Sequence, residues 1–193
     1  MDYTPEFLAA FQHAMLYEVG PWYNPQDPGT ISGDISTPIA RRMCGYGNIP
    51  GDSGGVTKYG VAQHDNPNVD VANLTLDGAM QIYWSQYWLT CCGDKIPTPM
   101  SIIHFDAAVN NGVGRACKFL QGAVGATQDG HVGPITLAAV NAADQSTVIN
   151  NLCTARTAYY QRIVANDPTQ AQFLSGWLRR VTEVAQYSLS QLQ

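Results

Sequence analysis

No apolar run in this sequence approaches the roughly 20 residues that a membrane-spanning helix needs. Its first residues, MDYTPEFLAAF, lack the basic patch and apolar stretch of a secretory signal, so none is expected. There is no excess of positive charge: ten Lys and Arg stand against 15 Asp and Glu, for a formal net charge of -5. That balance argues against a nucleic-acid partner, and against holding an anionic polymer by bulk electrostatics. The five cysteines, Cys44, Cys91, Cys92, Cys117 and Cys153, contain no C-x2-C pair, so zinc is not expected. Their odd number does not describe a disulfide framework, and without a signal they are read as reduced, partly buried thiols. No internal repeat is visible.

What remains is an ordinary globular composition, 45% hydrophobic and 13% charged. At 193 residues it can form one domain with a real core, with or without a small lobe. Thr4-Pro5 opens a helix well, with Thr as N-cap and Pro in the first turn. Phe7, Phe11, Ala14 and Met15 then mark one helical face. Glu18 lies on that same face, just before Gly20-Pro21 stops the helix. A carboxylate on an apolar stripe at a helix C-terminus sits where negative charge is disfavoured. Glycoside hydrolysis needs a carboxylic acid that keeps its proton for the leaving oxygen. The bland alternative is a surface carboxylate that happens to share the stripe.

Residues 20–55 are rich in Gly, Pro, Asn, Asp and Ser and read as an extended loop. Within them 30–51 has no clear period; with Arg41 and Arg42 it is either a rim over substrate or a disordered surface loop. Thr57–Val61 reads as a short strand. From residue 75 the pattern is helical. The stripes are Leu76, Met80, Tyr83 and Tyr87; Ile102, Phe105, Asp106 and Val109; and Ala116, Phe119, Leu120 and Ala123. A helix near 134–142, a longer one through Ile149 to Ile163 and a last one from Phe173 to Ser188 follow. The expected class is mainly α, a helical domain with a small β-containing loop region after the helix bearing Glu18.

Glu18 is followed by Trp22-Tyr23-Asn24-Pro25-Gln26-Asp27-Pro28-Gly29, and later by Asp52-Ser53-Gly54-Gly55-Val56-Thr57-Lys58-Tyr59-Gly60-Val61. Together these resemble the signature of glycoside hydrolase family 108, the phage and bacterial N-acetylmuramidases. Further along, Ile82-Tyr83-Trp84, Phe105-Asp106, Asn110, Gly112, Asp129-Gly130, Gly133-Pro134 and Gly176-Trp177 keep the family's order. The segment 120–140 resembles its predicted peptidoglycan segment. The order Glu18, Asp27, Thr57 is also similar to the catalytic triad of phage lysozymes.

The resemblance implies a lysozyme-like α+β fold over 1–193. Residues 1–100 would carry the catalytic helix, long loop and β region, and 101–193 a helical lobe with the peptidoglycan-like segment. It implies an endolysin-type or virion-borne enzyme, made in a host cytoplasm, that acts on bacterial peptidoglycan with inversion. Such an enzyme is expected to be a monomer with no cofactor, no metal, no nucleic-acid partner and no membrane anchor. Glu18 would be the acid and Thr57 would orient water. The second carboxylate is open. Asp27 keeps the family's spacing from Glu18 and Asp52 its spacing to Thr57, because an insertion of about 25 residues splits the motif. Asp27 is favoured as the nearer in sequence. Val19-Gly20-Pro21 replaces the family's glycines, which would narrow the cleft floor. Tyr59, Gln63, Asn110 and Asn111 are candidates for sugar subsites, against turn and capping roles. His64 and His104 are read as structural. A chitinase-like hydrolase and a non-catalytic wall-binding or phage structural protein are the competing readings.

Overall fold

The computed structural model describes residues 2–48 and 54–192. Its helices are α1 (Pro5–Glu18), α2 (Pro28–Ser32), α3 (Pro38–Met43), α4 (Leu76–Tyr83), α5 (Thr98–Asn111), α6 (Val113–Ala123), α7 (Pro134–Ala142), α8 (Gln145–Asn166) and α9 (Ala171–Ser190). Two short strands, β1 (Thr57–Lys58) and β2 (Val61–Ala62), pair antiparallel with Thr57 opposite Ala62 and Lys58 opposite Val61. The mainly α class with a small β region after the first helix is therefore correct. The chain groups into two compact units, Phe11–Trp84 and Met1–Ala10 with Ser85–Gln193.

The Phe11–Trp84 unit holds the second half of α1, α2, α3, the hairpin and α4. The stretch expected as an extended loop is partly helical: Pro28–Ser32 and Pro38–Met43 form α2 and α3, while residues 49–51 lie outside the described residues. Asp27-Pro28 and Thr37-Pro38 each start a helix as Thr4-Pro5 does, with the side-chain oxygen capping N–H groups of the first turn. The single strand expected at Thr57–Val61 is a hairpin. Tyr59 and Gly60 both take positive φ, 50° and 73°, the two-residue turn whose twist suits flanking strands. Phe11, Ala14, Met15, Cys44, Tyr59, Val71, Ala79 and Tyr83 form the core, with Phe11 edge-on to Tyr83 at 5.3 Å. Each such large apolar side chain contributes about 2 kcal/mol through burial. Lys58 is wholly buried and donates to the Ala72 carbonyl at 3.0 Å; burial pushes its ammonium below the usual lysine range.

In the other unit Phe7, Trp88 and Phe105 meet edge to face at 5.6–5.9 Å. The helix after Leu76 widens into a π-type turn over Trp84–Trp88. That adds one residue to the repeat, so Trp88 is buried where the unbroken stripe put Tyr87. Helix α5 is buried on every side from Pro99 to Ala108. Its Asp106 pairs with Arg156 of α8 at 2.8 Å and with Arg180 of α9 at 2.9 Å. Burial alone would raise the Asp106 carboxyl; the two guanidiniums outweigh it and hold it below the usual carboxylate range. His104 is also buried here, with Nε2 on the Cys91 carbonyl at 2.9 Å, and burial lowers its pKa to about 4. All five cysteines are free thiols.

Candidate active site

Glu18 is the last residue of α1. The N–H groups of Val19 and Gly20 both return to the Met15 carbonyl, at 2.9 and 3.2 Å, and Gly20 takes φ 89°. This left-handed cap turns the chain away immediately after Glu18, so its half-buried side chain stands at a corner rather than mid-helix.

Two glycine turns pinch that corner. A Cβ on Gly60 would lie 2.9 Å from both Cβ and Oε2 of Glu18, and 2.5 Å from Oη of Tyr83. A Cβ on Gly45 would lie 3.2 Å from the Glu18 carbonyl oxygen and 3.4 Å from Cγ2 of Val19. The β-branched side chain of Val19 thus stands beside Gly45. The turns are tied to each other and to α4. The Tyr59 N–H donates to the Cys44 carbonyl at 2.7 Å, and the Tyr83 hydroxyl donates to the Tyr59 carbonyl at 3.0 Å. The side chain of Glu18 therefore lies against the backbone turn at Gly60, and buried hydrogen bonds hold that turn in place.

Thr57 enters the hairpin that ends in this turn. Its backbone exchanges two hydrogen bonds with Gly47, at 2.8 and 2.9 Å, and its half-exposed side chain faces opposite to buried Lys58. Asp27 is the N-cap of α2. Its Oδ1 accepts from the N–H groups of Gly29 at 2.8 Å and Thr30 at 3.4 Å. Helix α2 is in turn joined to the hairpin, since the Tyr59 hydroxyl donates to the Thr30 carbonyl. Asp52 lies outside the described residues.

The four residues named for sugar subsites are placed differently. Tyr59 is fully buried beneath the turn, with its phenol held neutral by burial. Gln63 spends its side-chain amide on its own loop, donating to the Asn66 and Val69 carbonyls at 3.0 and 2.8 Å and accepting from Val71 N–H at 3.3 Å. Asn110 and Asn111 belong to the other unit, where Asn110 Oδ1 accepts from the Tyr160 hydroxyl and Asn111 Nδ2 donates to it at 2.9 Å. His64 is exposed. Sequence reasoning did not name Gly45, Gly60 or Tyr83 as neighbours of Glu18. The available signal was Tyr59-Gly60 between β-branched residues, the mark of a tight hairpin. Near the start of the loop, Arg42 sits 5.6 Å over the half-exposed ring of Trp22, a surface that a sugar face could use.

Among the described residues no group of three or more His, Cys, Asp and Glu could hold a metal ion. No helix there is long and apolar enough to cross a membrane.

Comparison with known proteins places this geometry in a family. The model described as glycosyl hydrolase 108 matches residues 37–112, which include Asp52, Thr57 and the hairpin. A predicted peptidoglycan domain matches residues 115–182. No curated protein matches the chain. The solved structure of SagA from Brucella abortus is similar at 30% identity, over 95% of this chain and 94% of that one, with a TM-score of 0.70. The glycosyl hydrolase match leaves out the helix bearing Glu18. The chain belongs to the glycosyl hydrolase 108 family.

Proposed function

We propose that the chain is a peptidoglycan N-acetylmuramidase. It hydrolyses the glycosidic bond between N-acetylmuramic acid and N-acetylglucosamine, with Glu18 as general acid. The observation that carries the reading is the placement of Glu18. It ends α1 at a corner closed by Gly45 and Gly60, inside the unit that holds the hairpin of the glycosyl hydrolase match. The match to a predicted peptidoglycan domain supports the wall polymer as substrate.

In this mechanism the Glu18 carboxyl gives its proton to the leaving glycosidic oxygen as the bond to the anomeric carbon breaks. Charge builds on the sugar as an oxocarbenium-like state. Water, oriented by the Thr57 hydroxyl, adds to the anomeric carbon, and the second carboxylate takes its proton. The cap that Asp27 makes on α2 gives that residue a structural task, which favours Asp52 for the second position. Gly60 serves by having no side chain where the acid must stand. The enzyme is of the endolysin type, acting on the wall polymer.

The test is mass spectrometry of fragments released from purified peptidoglycan by wild type and by Glu18→Gln. Wild type should release muropeptides ending in reducing N-acetylmuramic acid, and the variant, equally folded by circular dichroism, should release none. Reducing N-acetylglucosamine ends, or anhydro-muramic ends formed without water, would overturn the bond or the hydrolytic step. Full release by the variant would overturn the role of Glu18.

A further inference from the structure

The helical unit carries a basic groove that the hydrolytic centre does not use. Asn111, Gly114, Arg115, Lys118, Asp129, Gly130, His131 and Tyr159 line a pocket of about 390 Å³. A second of about 180 Å³ continues from it, sharing Arg115 and Tyr159 and adding Arg162 from α8. Arg115 and Lys118 are three apart on α6, hence on one face. Tyr159 and Arg162 are three apart on α8. The guanidinium of Arg115 lies 5.0 Å over the Tyr159 ring, and that ring is braced edge-on by Phe119 at 5.5 Å. A stacked guanidinium loses less freedom when it binds a carboxylate than a loose one does.

Among the described residues, no carboxylate forms an ion pair with Arg115, Lys118 or Arg162. The one carboxylate in the groove is already engaged: Asp129 Oδ1 accepts from Gln121 Nε2 at 2.7 Å and from His131 N–H at 2.8 Å. In a chain with 15 acids and ten Lys and Arg, three unpaired cations on one groove are a concentration of the scarcer charge. A ligand suited to this lining brings carboxylates for the cations.

We propose that this groove binds the acidic peptide of a muramyl peptide, its carboxylates on Arg115, Lys118 and Arg162. The inference rests on the peptidoglycan reading above and adds that the helical unit reads the peptide stem rather than the glycan. The cations are spread over two helices and two pockets, which suits spaced carboxylates better than one compact anion.

The test uses the full chain labelled with ¹⁵N and three probes: an N-acetylmuramyl tetrapeptide with free carboxylates, the same compound with its carboxylates amidated, and inorganic phosphate. The free acid should shift the amides of Arg115, Lys118, Gly130 and Tyr159 and bind at least tenfold more tightly than the amidated compound. Its affinity should fall at least tenfold in an Arg115→Gln, Lys118→Gln variant of unchanged melting temperature, and should weaken with salt. Equal affinity for acid and amide, shifts confined to other residues, or phosphate binding as tight as the peptide would each overturn the proposal. Binding is read without bond cleavage. Stem binding without muramidase products would refute only the muramidase reading; normal cleavage with no acid-over-amide preference would refute only this one.

Discussion

Replacing Gly60 by alanine perturbs the acid without touching it. Gly60 has φ 73°, where an L side chain costs about 1–2 kcal/mol of backbone strain. The new Cβ would also stand 2.5 Å from Tyr83 Oη and 2.9 Å from Cβ and Oε2 of Glu18, inside any tolerable contact. Tyr83 can yield only by giving up its bond to the Tyr59 carbonyl in a buried setting, a loss of about 1–3 kcal/mol. Glu18 can yield only by moving its carboxylate. The strain and the lost hydrogen bond together predict a destabilisation of about 2–5 kcal/mol, a large share of a small domain's reserve of about 5–15 kcal/mol.

The matched control is Gly125→Ala. Gly125 has nearly the same φ, 72°, and nothing within 4 Å of a Cβ, so it bears the strain alone. Urea denaturation should put Gly60→Ala below Gly125→Ala by the hydrogen-bond share. Dye release from peptidoglycan, measured where both variants are folded, should show kcat/KM reduced by about 100-fold in Gly60→Ala, the usual cost of a displacement near 1 Å at a reacting group. It should stay near wild type in Gly125→Ala. Equal stability of the two variants, or Gly60→Ala with full activity, would refute the claim that the hairpin turn fixes Glu18.

Three more outcomes follow from particular side chains. Asn caps helices about as well as Asp, so Asp27→Asn should keep stability within a few tenths of a kcal/mol while Asp27→Ala loses about 1 kcal/mol. If Asp52 is the second carboxylate, Asp52→Asn abolishes dye release and Asp27→Asn does not; the reverse pattern returns the role to Asp27. The buried imidazole of His104 has its pKa lowered from 6.5 to about 4. Between those values the unfolded chain binds a proton that the folded one refuses. Stability should therefore fall by about 3 kcal/mol as pH drops from 6.5 to 4, and His104→Leu should remove that slope from melts across the range. An unchanged slope would mean that His104 charges while folded.

Much of the scaffold was legible because its signals are local. Thr4-Pro5, Thr75 and Gly133-Pro134 set helix starts, and the start of each was read correctly within the first turn. The same cap-and-proline signal opens α2 and α3, yet helices of five and six residues are too short to show an apolar period, so 30–51 read as loop. The trade of Tyr87 for Trp88 had no local mark, since a π-type turn is an extra residue that packing tolerates. Gln63 and Tyr59 were plausible sugar ligands by type. Only their partners reveal that one organises its own loop and the other lies under the turn.

The sequence by itself determined where Glu18 would be: on the apolar face of a capped helix, two residues before a glycine stop. Helical periodicity and capping act within a few residues, and the chain spells them out. Tertiary structure decided what surrounds that carboxylate. Gly45 and Gly60 lie 27 and 42 residues beyond it and reach it only because α2, α3 and the hairpin fold back over the end of α1. It likewise gathered Arg115, Lys118 and Arg162, three unremarkable surface cations in sequence, onto one groove. Contacts between distant segments depend on how whole faces bury together, and no local pattern of residues encodes them.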